Sequence, residues 1–130
     1  MQACFPHLAD RGGKIINLAS EAGSERVAGH AAYAAAKEAV RALTGVAARE
    51  WGRLGIQVNA ICPFADTPST KALFDAQPEF REQLLSTSPI GRLGDAEIDV
   101  GRSVVFLAST DSDFITGQTV WVDGGRTIHS

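Results

Sequence analysis

Hydrophobic and polar positions along the chain fall into three short apolar runs separated by longer segments of helical period. The first run, Gly13-Lys14-Ile15-Ile16-Asn17-Leu18-Ala19-Ser20, predicts a strand that ends in polar residues at Ser20. The second, Ile56-Gln57-Val58-Asn59-Ala60-Ile61-Cys62-Pro63, predicts a strand closed by a proline. The third lies within Ile115 to Gly125, with a strand from about Gln118 to Val122 ended by Gly124-Gly125. Between the first two, His30 to Leu54 predicts one long helix, with an apolar stripe at Ala36, Val40, Leu43, Ala47, Trp51 and Leu54. Gly55 is placed to end it. Glu21 to Gly29 predict a glycine-containing loop, and Met1 to Ala9 the last turns of a helix stopped by Arg11-Gly12-Gly13. Further on, helical turns are expected around Ser69 to Ala76 and Pro78 to Ser86. Asp95 is suited to cap a helix running through Ala108, with Glu97 and Asp99 at the positive end of its dipole.

Strand, helix, strand, helix, strand, with mostly continuous apolar strands, argues for a parallel sheet covered on both faces. Right-handed crossovers then set the three strands side by side. The expectation is an α/β fold forming the C-terminal half of a doubly wound parallel sheet, in a single unit spanning residues 1–130. Composition agrees: 45% hydrophobic and 21% charged residues are the proportions of a globular protein. Twelve basic against fifteen acidic residues, with no basic block, argue against a nucleic-acid or anionic-membrane surface. No apolar run is long enough for a membrane-crossing helix, and the N-terminus does not read as a signal peptide. Cys4 and Cys62 are too few and too far apart for a disulfide framework. They read as two reduced thiols, so a cytoplasmic location is expected. No metal is expected, because His7, His30 and His129 lack ligand spacing with one another or with either cysteine. Asp111 and Asp113 lack the rest of a calcium loop.

Candidate chemistry centres on Tyr33-Ala34-Ala35-Ala36-Lys37. A phenol and an ammonium at this spacing leave the same face of a helix. A free phenol ionises near pH ~10, and a cation held close favours the phenolate, so such a pair suits proton transfer. The spacing alone also describes one core ring and one solvated lysine. Its neighbours decide between the two readings.

Taken in order, the strand ending in Ser20, the Tyr33/Lys37 helix, the strand end from Asn59 to Pro63 and the segment Ile115 to Gly125 resemble the short-chain dehydrogenase/reductase family over nearly the whole chain. The resemblance implies a Rossmann-like sheet and an NAD- or NADP-dependent oxidoreductase interconverting a secondary alcohol and a ketone, similar to 3-oxoacyl reductases. It implies Tyr33 as general acid/base, Lys37 as its electrostatic partner and a ribose contact, and Ser20 as a hydrogen-bond donor to the reacting oxygen. Pro63 and Thr67 would contact the nicotinamide. Phe64 stands where the family usually has glycine and Thr67 arrives one residue early, so the loop is expected to differ, with Phe64 as a possible pocket wall. Leu73, Phe74, Phe80, Leu84 and Leu85 fall where the family has a mobile lid, or are ordinary helix packing. Glu21 is expected to be a solvated loop carboxylate. The family's Gly-rich phosphate turn has no counterpart here, so the chain reads as a member without roughly its first hundred residues, about one small domain. Assembly into a homodimer or homotetramer is implied for the full-length form, through the Tyr33 helix and through the Asp95 helix with the last strand. Two other readings are a truncated remnant acting only through those surfaces and a divergent member with a non-redox role.

Overall fold

The computed structural model describes residues 1–128; His129 lies outside them. Its three strands, β1 (Gly13–Leu18), β2 (Ile56–Pro63) and β3 (Thr119–Val122), form one parallel sheet in that order. Leu18 stands opposite Ile61, and Pro63 opposite Val122. The expected α/β architecture is the one found. The strands at Gly13 and Gln118 are shorter than their apolar runs, with β1 ending at Leu18 and β3 starting at Thr119.

Central β2 is covered on both faces, which is why its sequence is apolar without alternation. Ile56, Val58, Ala60, Ile61 and Cys62 have almost no exposed surface. One face is covered by α1 (Phe5–Leu8) and α3 (Ala31–Trp51). Ala47 and Ala48 pack there against Ile56 and Val58, with Met1, Phe5, Leu8, Ile15 and Trp51 around them. A second cluster joins Ala19, Ala60 and Cys62 to Val40 and Trp121. On the other face lies α6 (Arg102–Ala108), whose Leu107 is fully buried. Lys14, which alternates with Ile15 along β1, reaches Ser112 Oγ at 2.9 Å and Asp113 at 2.8 Å just after α6.

The inward face of α3 differs from the expected stripe. Val40, Thr44, Ala47, Ala48 and Trp51 point to the sheet, whereas Ala36, Leu43 and Leu54 are exposed. An Ala-rich helix is apolar on several sides, so periodicity alone does not choose the buried one. Thr44 is buried because its hydroxyl is satisfied there: it donates to Val40 O at 2.8 Å and accepts from Asn17 Nδ2 at 2.9 Å. The helix stops at Trp51, and a 3₁₀ turn over Gly52–Leu54 leads to Gly55 in the left-handed region, φ +73°. Gly12, at φ +70°, meets this turn so closely that a Cβ would lie 2.7 Å from Gly55 O. Only glycine fits, and the starts of β1 and β2 are thereby pinned together.

Two polar anchors complete the frame. Buried Asn59 donates to Ile115 O at 2.9 Å and accepts from Gln118 N at 3.0 Å, fixing the entry to β3. Asp95 Oδ1 accepts from Glu97 N and Ile98 N, as its capping position requires. The helix it opens begins as a wider π-type turn, Ala96–Gly101, and becomes α-helical only in α6. Beside that turn, Asp99 takes both guanidinium nitrogens of Arg92 (2.6 and 3.1 Å) and the Asp95 N–H (2.6 Å). The Arg92 hydrogen bonds, then the Asp95 amide, lower the Asp99 carboxyl from 3.8 to about 2. A depressed acid contributes stability that is present above its unfolded value and lost as pH falls through the folded one. Carboxyl ¹³C NMR is therefore expected to show Asp99 titrating near 2, and moving up towards 3.8 in Arg92→Gln.

Candidate active site

In a parallel sheet all strands point their carboxyl ends to one edge, where crossover loops leave room for a ligand. Here that edge is formed by the ends of β1, β2 and β3 at Leu18, Pro63 and Val122. Every candidate residue from the sequence lies on a segment that starts there or returns to it.

Ser20 follows β1 by two residues in extended backbone, φ −157° and ψ 146°. Its Oγ accepts from Ala22 N at 3.2 Å and so caps a one-turn helix, α2 (Glu21–Glu25). The expected loop is therefore partly helical; one turn is too short to show a period, and its signal was the capping serine. The cap uses a lone pair of the hydroxyl, which leaves the O–H free to donate elsewhere. Gly23 of α2 lies flush against α3, where a Cβ would come 2.5 Å from Glu38 Oε1.

Tyr33 sits in the first turn of α3 and is 48% exposed, open to a substrate. Lys37 Nζ lies 5.6 Å from the centre of its ring and donates to Leu18 O at 3.1 Å. That bond ties the helix to the end of β1 and holds the cation beside the phenol. Tyr33 and Lys37 are thus brought together, while among the described residues no hydrogen bond joins Ser20 to either.

Pro63 closes β2. Phe64 continues along the same line, its N–H donating to Val122 O and its carbonyl accepting from Gly94 N, both at 2.9 Å. It does not adopt positive φ; among described non-glycine residues only Arg26 does, at φ +52°. The loop therefore places no demand for glycine at this position, and the Phe64 ring is buried. Thr67 caps α4 (Pro68–Ala76), accepting from Thr70 N at 3.2 Å, with Pro68 in the first helical turn. Its hydroxyl also meets Thr70 Oγ1 at 2.7 Å and Ser69 Oγ at 3.1 Å. Beyond lies α5 (Pro78–Ser86), joined to α4 by Phe74 and Phe80, ring centres 6.4 Å apart. Phe74 is buried, but Leu73 and Phe80 are largely exposed.

Glu21 is not solvated. Its side chain is only 21% exposed and is ion-paired with Arg126. Burial pushes its carboxyl up, against the pull of the Arg126 charge and hydrogen bond. Sequence reasoning passed over Arg126 because its partners Glu21 and Thr87 lie far away along the chain, and no local spacing marks it. Cys62, buried at the end of β2, is pushed up to about 11 by burial, whereas Cys4 is exposed. A disulfide reagent at neutral pH is therefore expected to label Cys4 rapidly and Cys62 only after unfolding; equal rates in the native protein would contradict this packing.

A family model described as enoyl-(acyl carrier protein) reductase matches residues 1–127. The 12alpha-hydroxysteroid dehydrogenase of a Clostridium species is 43% identical over 125 residues, covering 96% of this chain and 48% of that protein. The 3-oxoacyl-(acyl-carrier-protein) reductase FabG of Pseudomonas aeruginosa is 47% identical over 116 residues, 88% of this chain and 45% of that one. The chain belongs to the short-chain dehydrogenase/reductase family. In three dimensions, a short-chain type dehydrogenase/reductase from Mycobacterium ulcerans superposes with a TM-score of 0.81 at 33% identity, covering 88% of this chain and 42% of that one. The chain thus spans about half the length of the curated relatives it matches.

An open parallel sheet takes a dinucleotide outside the carboxyl ends of its strands, and four residues at this edge could hold one end of such a molecule. The exposed Tyr33 and the adjacent Lys37 ammonium can face a ribose, and Pro63 and Thr67 stand at the head of β2. The diphosphate has no strand–glycine turn–helix cradle among the described residues: Gly12 and Gly13 precede β1 or open it, and Gly124 and Gly125 follow β3. No helix of the described residues is long and apolar enough to cross a membrane.

Proposed function

We propose that this protein is an NAD(P)-dependent oxidoreductase that interconverts a secondary alcohol and a ketone, with Tyr33 as acid/base. The observation that carries the reading is the Tyr33–Lys37 pair, held by Leu18 O at the end of the strand that leads into Ser20. When bound, the nicotinamide supplies or accepts the hydride. The chain's own residues handle the oxygen. In the reducing direction, Tyr33 gives its proton to the carbonyl oxygen as that oxygen gains negative charge. Ser20, whose O–H is not spent on its cap, donates to the same oxygen and stabilises the developing alkoxide. Lys37 keeps a positive charge beside the phenol and faces the ribose. Pro63 and Thr67 line the nicotinamide side.

The substrate class is a small ketone or a 3-oxoacyl thioester, in keeping with relatives named for hydroxysteroid and 3-oxoacyl substrates. The cofactor class is NAD or NADP. A homodimeric or homotetrameric enzyme accords with exposed Leu43 and Val46 on α3 and exposed Val105 and Phe106 on α6, which offer apolar contact surfaces, and a cytoplasmic location accords with the unpaired Cys4 and Cys62. A second reading is a non-catalytic remnant acting through those surfaces; beside it stands the observation that no diphosphate cradle occurs among the described residues. Fluorescence titration with NADH and NADPH separates the two. Saturable binding followed by ketone turnover supports the enzyme; a chain that binds neither at millimolar concentration supports the remnant.

A further inference from the structure

We propose that Arg126 is a positioning residue for Ser20, holding the Glu21 carboxylate, and through it the start of α2, in register with the Phe64 loop and the end of α5. The inference rests on the oxidoreductase reading, in which the Ser20 hydroxyl must meet the substrate oxygen.

One guanidinium makes three contacts from three different segments. It pairs with Glu21, the residue next to Ser20. Its Nε–H donates to Thr87 Oγ1 at 2.8 Å, at the C-terminus of α5. Its carbon lies 5.0 Å from the centre of the Phe64 ring. The side chain is only 14% exposed, so these contacts are weakly screened. In the bulky ring at position 64 Arg126 thus has a partner that glycine there would not supply.

The turn that presents Arg126 is itself built. Asp123, 4% exposed, accepts from Gly125 N at 3.0 Å and from Thr127 N at 2.8 Å, clamping the backbone on both sides of the arginine. Gly124 has φ +67°, and a Cβ on it would stand 2.7 Å from Ser88 Oγ. The arginine therefore approaches Glu21 from a fixed direction. Glu21 Oε2 has no hydrogen-bond partner among the described residues. A half-buried carboxylate satisfied on one side depends on its cation, and without it is drawn towards water. Because Glu21 is the first residue of α2, that movement turns the Ser20 cap with it.

The test compares wild type, Arg126→Met, Arg126→Lys, Glu21→Gln and the Glu21→Gln/Arg126→Met double variant, in the protein as the cell makes it. Expected for Arg126→Met is a roughly ten- to hundredfold fall in kcat, the scale of a misplaced reacting group, with KM for the nicotinamide cofactor little changed. Arg126→Lys keeps the charge and is expected to recover part of the loss, and the double variant to lose no more than Arg126→Met. Amide hydrogen exchange supplies a readout independent of turnover. Exchange at residues 22–25 and 87–88 is expected to quicken in Arg126→Met while β2 stays protected. Unchanged exchange in α2, or a uniform rise that includes β2, overturns the proposal, as does a loss in KM alone. If the wild type transfers no hydride, the oxidoreductase reading falls, and the exchange pattern still decides whether Arg126 sets the position of α2.

Discussion

Replacing Tyr33 by phenylalanine is expected to cut ketone reduction by roughly 10²- to 10⁴-fold, the usual worth of a positioned acid/base, with cofactor binding largely retained. The substitution removes one oxygen from an exposed ring in the first turn of α3. It leaves the helix, the Lys37–Leu18 bond and the end of β1 as they are, so any large loss belongs to the proton and not to the fold. Thermal unfolding measured beside turnover checks this: the midpoint is expected to stay within a degree or two, the scale of an exposed substitution. A variant with near-normal turnover would remove Tyr33 from the chemistry. Loss of turnover with loss of folding would leave it a structural ring.

The largest effect on stability is expected at Ile61. It lies on the central strand, opposite Leu18 and Val120, and has 1% of its surface exposed. Ile61→Ala deletes buried carbons from a strand packed on both sides, where the surroundings collapse only partly, and is expected to cost about 2–5 kcal/mol. The same residue's carbonyl accepts from Ala19 N at 2.9 Å, immediately before Ser20, so the loosened strand also slackens the site. Denaturant unfolding measures the cost. A change below about 0.5 kcal/mol, the range of surface substitutions, would mean that β2 is not buried as described.

Local signals carried the frame of this fold, and contacts distant in sequence carried its details. The bounds of β2 were readable because Gly55 and Pro63 bracket an unbroken apolar run. The starts of α4 and α5 were readable because each has a proline at its first turn. Tyr33 and Lys37 were readable because four residues on a helix is a fixed distance. By contrast, Thr44 took an inward place over Leu43 through a bond to Asn17 in another element, which no period within α3 records. The short α2 was hidden by its length. The Glu21–Arg126 pair was hidden because one partner follows β1 and the other follows β3, and only the parallel sheet brings those two ends, on either side of β2, to one edge.

The central claim is hydride transfer at the carboxyl edge of this sheet, and isotopic labelling tests it most directly. A ketone is incubated with the protein as the cell makes it and with NADH or NADPH carrying deuterium at both hydrogen positions of nicotinamide C4, and the product is examined by mass spectrometry. The expected result is an alcohol bearing one deuterium on the carbinol carbon, formed by wild type and nearly absent with Tyr33→Phe. Alcohol without the label, or a product formed by loss of water while the nicotinamide stays unoxidised, would contradict the account.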